Sequence, residues 1–179
     1  SYGHGIAISP LQYVNAINSV INGGKFRYST LIKNKNDNEN LSLRVISEDT
    51  SKRVRKLLRE VVRNKEGSGD NAEIEGYSIA GKTGTIENFT IINNERKQLT
   101  DHSTFIAFAP IDNPQIAISV FIENGYWGSR WAAPIASLII EKYINGEVKR
   151  KWLEQRMLSG SLLEEYEKPY KFDLFEINE

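Results

Sequence analysis

The ten residues GYSIAGKTGT, positions 76–85, decide the fold, because two incompatible backbones fit them. Read from Gly76, the string satisfies the phosphate-loop spacing GxxxxGK[ST]. That spacing belongs to a buried parallel strand, a loop wrapped around phosphate and a helix that starts at the Lys-Thr pair. Read as a strand, the same residues set Lys82, Thr83, Gly84 and Thr85 along an extended edge. The flanks choose between them. Asn71-Ala72-Glu73-Ile74-Glu75 is too polar for a buried parallel strand, and Tyr77, Ser78, Ile79 and Ala80 have strand character. Gly84, Thr85, Ile86 and Asn88 are poor helix formers with no apolar stripe. No later strand ends in an obvious acid for magnesium. A strand over 74–86 is therefore expected, and a nucleotide-binding loop is kept only as a distant alternative.

On a strand, KTGT has a chemistry of its own. Lys82 brings a fixed positive charge, and Thr83 offers a hydroxyl to a carboxylate, a charge-assisted pairing that orients small acids. Gly84 lacks a side chain and lets a peptide come close. The amide of Thr85 is available to a developing oxyanion. An isolated tetrapeptide also fits a plain exposed strand end, so its context must carry the argument.

Outward from this stretch the chain alternates helix and strand. Ser9 caps and Pro10 opens a helix whose Leu11, Val14, Ile17 and Ile21 recur at helical spacing before Gly23-Gly24. KFRYSTLI (25–32) reads as a strand, and NKNDNEN (34–40) as a mobile polar connector. From Ser47, with Glu48 and Asp49 at the start, Val54, Leu57, Leu58, Val61 and Val62 form a helical stripe. Its basic residues Arg53, Arg55, Lys56, Arg59 and Arg63 read as the solvated face of that helix and not as a nucleic-acid surface. STFIAFAP (103–110) and PQIAISVFI (114–122) flank a short turn and predict an antiparallel hairpin. A helix follows from Ala132 to Ile144, with Ile135, Leu138, Ile139 and Tyr143 expected inward and Gly146 as the stop. Hairpins in place of crossovers imply an α+β fold, an antiparallel β-sheet with helices packed on its faces. Residues 1–146 form the domain portion, and 147–179 a charged C-terminal extension with a short helical pattern around Trp152–Met157.

The composition excludes several classes. The 23 basic and 23 acidic residues cancel, so no net field favours nucleic acid or an anionic membrane. Without cysteine, and with only His4 and His102, a metal set is unconvincing and no cofactor is expected. No apolar run is long enough to span a bilayer. His102 after Asp101 invites a dyad, but a lone pair of this kind is more often a strand-start contact. His4 lies between glycines and reads as a loop residue. Tyr126, Trp127 and Trp131 read as a packing cluster before the last helix, or, if exposed, as a docking surface.

Four stretches in order resemble the C-terminal part of the transpeptidase domain of class B penicillin-binding proteins. GHGIAISPLQ (3–12) with NSVINGGKF (18–26) is similar to the helix downstream of the family's second motif. IEGYSIAGKTGT (74–85) is similar to the strand carrying its third motif, and FIAFAPIDNPQIAISVFIENG (105–125) to the next two strands. The resemblance implies the penicillin-binding-protein and serine β-lactamase-like fold, here incomplete at its N-terminal side. It implies a serine acyltransferase with motifs SxxK, SxN and KTG, which transfers D-alanyl stem peptides of peptidoglycan and is acylated by β-lactams. Lys82 and Thr83 would bind the donor's terminal carboxylate, Gly84 would permit its approach, and the Thr85 amide would complete the oxyanion hole. Implied partners are stem peptides, β-lactams, and elongation or division proteins of the cell wall. The implied location is the outer face of the bacterial cytoplasmic membrane, reached through an N-terminal anchor.

This sequence contains neither SxxK nor SxN. The expectation is a piece of a longer enzyme, inactive by itself and with apolar surface uncovered. The alternative is a non-catalytic peptide-binding module of the same fold. DHSTFIAFAP with ENGYWGSRWAAPIASLIIEKYI (123–144) tilts the reading to elongation-type enzymes, while EGSGDNAEIEGYSIAGKTGT looks division-type.

Overall fold

Ser9 begins the first helix as expected: its side chain accepts from the Gln12 amide while Gln12 reaches back to the Ser9 backbone, a reciprocal cap around Pro10. The computed structural model describes residues 6–31 and 42–167; His4 and the connector 34–40 lie outside them. Helix α1 spans Pro10–Ile21. Strand β1 is only Lys25–Phe26, paired antiparallel with β2, Leu43–Arg44. Residues 27–30 are not in a strand, so the long strand expected over 25–32 shrinks to its first two residues. Aromatic and β-branched content raises strand propensity, but among the described residues 25–31 only two find a strand partner.

Helix α2, Glu48–Arg63, starts at the Ser47 cap, with Glu48 and Asp49 in its first turn. Val62 of its stripe is fully buried, whereas Leu57 is 67% exposed, contrary to expectation. The buried face is narrower than the apolar stripe. A 3₁₀ turn at Asp70–Ala72 and a left-handed Gly76 precede β3, Ala80–Ile92. The strand therefore begins six residues later than expected and runs six residues further.

β3 pairs with β4, Glu95–Ala109, and β4 with β5, Ile116–Ile122, both antiparallel, in the order β3-β4-β5. The β4–β5 hairpin is the one expected. The β3–β4 hairpin is longer than foreseen, because Asn93 and Asn94 both take positive φ, the conformation a two-residue mirror turn requires.

The centre of β4 is buried on both faces, which is why STFIAFA lacks the polar alternation of a one-sided strand. Phe105, Ala107 and Ala109 pack with Ala132, Ala133, Ala136 and Ile140 of helix α3, Ala132–Asn145. Ile106 and Phe108, on the opposite pleat, pack with Ala80 and with Ile17 of α1. Each fully buried Phe contributes about 1.5–3 kcal/mol of transfer free energy.

The inward face of α3 differs from the expected one: Ile139 and Tyr143 are 45% and 60% exposed, while alanines and Ile140 meet the sheet. Small residues let the helix lie close to β4, and the bulkier Leu138 turns toward Val148 and Leu153. α3 stops at a left-handed Gly146, as expected. Helices α4, Lys151–Ser159, and α5, Leu162–Glu167, follow.

Glu141 on α3 is only 2% exposed and is paired with Arg150 at 3.2 Å. Arg150 also donates to Ser137 Oγ at 2.9 Å and to the Glu73 carbonyl at 3.4 Å. A buried carboxylate stripped of its partner is costly, typically by about 3 kcal/mol or more. We predict that Arg150→Met lowers the unfolding free energy of the chain by about 3 kcal/mol. Adding Glu141→Leu should recover most of it; denaturant unfolding with a loss below about 0.5 kcal/mol for the single variant would contradict the pairing's role.

Candidate peptide-binding edge

The stretch that fits a phosphate loop is not one. Lys82 and Thr83 lie in the third and fourth positions of the thirteen-residue strand β3, not at a helix N-terminus. Fully buried Ile79 and Ala80 anchor the start of the strand. Lys82, Thr83, Gly84 and Thr85 then pair with Ile106, Phe105, Thr104 and Ser103 of β4. Among the described residues β3 has no partner on its other side, so it is the margin of the sheet.

Lys82 is exposed, and its Nζ donates to the Thr83 carbonyl at 2.7 Å. In an antiparallel ladder every second residue turns its amide and carbonyl away from its partner strand. The Thr83 carbonyl, taken up by Lys82, marks Thr83 as such a residue. By the two-residue period Thr85 is another, and the Thr85 side chain is exposed.

Gly84 has a packing reason of its own. A Cβ there would lie 2.4 Å from Thr104 Oγ1, across the ladder. Gly128, from the loop after β5, lies against the backbone of the same two residues: a Cβ on it would fall 2.7 Å from the Gly84 carbonyl oxygen and 2.5 Å from that of Thr104. Two bare backbones are thus stacked where the strand carries KTGT.

One further residue joins the edge that the sequence reading passed over. Ser68 Oγ lies 2.6 Å from Thr83 Oγ1. It stands between Gly67 and Gly69, and a Cβ on Gly67 would fall 2.2 Å from the Val61 carbonyl, so the turn hugs the end of α2. The signal was the Gly-Ser-Gly string itself, which the sequence offers only within the division-type stretch EGSGDNAEIEGYSIAGKTGT.

The remaining candidates separate. His102 Nδ1 accepts the Asn124 amide at 3.0 Å, and its ring lies 5.1 Å from that of Phe121. Asp101 accepts from the Asn88 amide and from Gln98, and its carbonyl accepts from Tyr126. The two neighbours therefore tie β4, where its register against β3 shifts between Ile86 and Asn88, to the loop after β5 and do not form a dyad. Trp131 is buried at 6% exposure, as packing predicts, while Tyr126 and Trp127 stand 37% and 40% exposed in an edge-to-face pair. Among the described residues no group of three or more His, Cys, Asp or Glu side chains is placed to hold a metal ion. In the same residues no helix is long and apolar enough to cross a membrane.

Comparison with known proteins agrees with this geometry. The family described as "Penicillin binding protein transpeptidase domain" matches residues 1–141. Stage V sporulation protein D of Bacillus subtilis is 33% identical over 156 residues, which is 78% of this chain and 23% of that protein. The probable peptidoglycan D,D-transpeptidase FtsI of Caulobacter vibrioides is 35% identical over 156 residues, 79% of this chain and 26% of that protein. MrdA of Haemophilus influenzae, a peptidoglycan D,D-transpeptidase, is 39% identical over 93 residues, 48% of this chain and 14% of that protein. The chain thus spans about a quarter or less of the length of these relatives. Among solved structures, the apo transpeptidase domain of Burkholderia pseudomallei penicillin-binding protein 3 superposes with a TM-score of 0.67 at 27% identity. It covers 83% of this chain and 46% of that one. With the family matched along most of its length and an antiparallel sheet edged by KTGT, the chain belongs to the transpeptidase domain family of the penicillin-binding proteins.

Proposed function

We propose that this chain is the KTG-bearing part of a class B peptidoglycan D,D-transpeptidase, and that the open margin of β3 receives the donor stem peptide. The observation that carries the reading is the extended stretch Lys82–Thr85 on the sheet margin, paired with β4 on one side and, among the described residues, open on the other. A D-alanyl carboxylate would sit against the Lys82 ammonium and the Thr83 hydroxyl, with Ser68 as a second hydroxyl beside it. The Thr85 amide would stabilise the oxyanion formed when a serine attacks the penultimate carbonyl. D-alanine leaves with the proton the serine gave up, and the amino group of a neighbouring stem then displaces the serine from the acyl-enzyme. β-Lactams would acylate the same serine. That serine is supplied by an SxxK motif outside these 179 residues, in a longer protein anchored on the outer face of the cytoplasmic membrane.

The elongation-type reading rests on residues 101–110 and 123–144 and fits the shorter likeness to MrdA, although the longer likeness is to FtsI. Depletion of the full-length protein should round the cells; filaments would assign it to division instead.

The decisive test is labelling with a fluorescent penicillin. The full-length protein should label, while its nucleophile-serine variant and the 179-residue chain should not. A complete gene whose product lacks SxxK and does not label would favour a non-catalytic peptide-binding module.

A further inference from the structure

β3 is gripped from the side of α2 at two points that bracket Lys82. The first lies just ahead of the strand. Arg59 donates from Nη2 to Glu73 Oε1 at 2.6 Å and from Nη1 to Glu73 Oε2 at 2.5 Å, and the same Nη1 donates to the Ile79 carbonyl at 2.8 Å. The Arg59 side chain is 15% exposed and Ile79 is fully buried, so water does not readily replace these bonds. The second point is Thr83, held by Ser68 from the turn whose Gly69 amide donates to the Val61 carbonyl at 3.1 Å. Both Arg59 and Val61 belong to the last turns of α2.

An ion pair that served only as an ion pair would not need the backbone. Here a planar guanidinium is oriented by the two oxygens of one carboxylate, and the remaining hydrogen of Nη1 fixes the last carbonyl before the strand. Lysine has the charge but not the rigid fork. Buried pairs of this kind are weak evidence for stability and better attested in setting register. Glu73 is itself held, because its carbonyl accepts from Arg150.

We infer that the Arg59–Glu73 pair is a positioning unit for the KTGT strand. Through the Ile79 carbonyl, it sets where Lys82 and Thr85 meet the donor peptide, without touching that peptide. The inference rests on the peptide-edge reading proposed above. Small displacements of groups that align a reacting carbonyl cost rate more than affinity; a shift near 1 Å can cost about a hundredfold.

The experiment separates the acylation rate constant from the prior binding constant in the full-length protein, using a fluorescent penicillin and rates normalised to folded protein. Arg59→Lys keeps the charge but cannot serve both partners, and should slow the acylation step about tenfold with binding changed less than about twofold. Glu73→Gln, a milder change that leaves the Ile79 bond possible, should slow it about threefold. In the same full-length protein, Arg59→Lys should speed hydrogen exchange at Ala80–Thr85 while α3 is unaffected. Wild-type acylation constants in both variants, or exchange that rises equally in α3, would overturn the inference. A wild-type protein that fails to label would instead overturn the proposed function and leave the exchange result to judge the positioning.

Discussion

In the full-length protein, Lys82→Ala should cut the rate of labelling by a fluorescent penicillin by about a hundredfold or more. A hydrogen bond to a charged group is worth about 1.5–3 kcal/mol, and Lys82 is asked to supply such a bond and the local positive charge together. The fold should not suffer. Lys82 is exposed, its side chain donates to the Thr83 carbonyl of its own strand, and surface changes of this kind stay within about 0.5 kcal/mol. Loss of labelling with an unchanged melting temperature is therefore the expected pair of results. Near-normal labelling would remove Lys82 from the carboxylate site, and with it the central support for the peptide edge.

Gly84→Val should be equally damaging for two reasons that a second substitution separates. The new Cβ would enter the space of Thr104 Oγ1, and overpacking of this kind costs about 1–3 kcal/mol. Gly84→Ala combined with Thr104→Ala removes the clash, since the Thr104 Cβ is 3.8 Å away. That pair should recover the melting temperature while labelling stays well below wild type, because the added methyl still narrows the approach to the strand. Full recovery of labelling would reduce Gly84 to a packing residue and refute its place in the peptide site.

How much of this was legible in the sequence depended on how local each signal is. The caps at Ser9 and Ser47, the stop at Gly146 and the β4–β5 hairpin are written in a few adjacent residues, and each stands where the chain announces it. The strand character of KTGT was legible for the same reason, from flanks that could not make a helix. The inward face of α3 was not, because ranking side chains by hydrophobicity puts Ile139 ahead of Ala136. Close approach to a sheet favours the smaller residue. The long β3–β4 hairpin hid in an Asn-Asn turn without glycine. The partners Ser68 with Thr83 and Arg59 with Ile79 lie 15 and 20 residues apart, and no pattern of spacing points from one to the other. The site's first residues were therefore readable, and the residues that hold them in place were not.

The pairing of Glu141 with Arg150 bears on where this unit ends. The family match stops at residue 141, the very position whose carboxylate is shielded by an arginine nine residues downstream. A protein trimmed to that limit would enclose a negative charge with nothing to balance it. Any excised version meant to stay folded needs to carry its ending through at least Arg150, and best through the helix behind it.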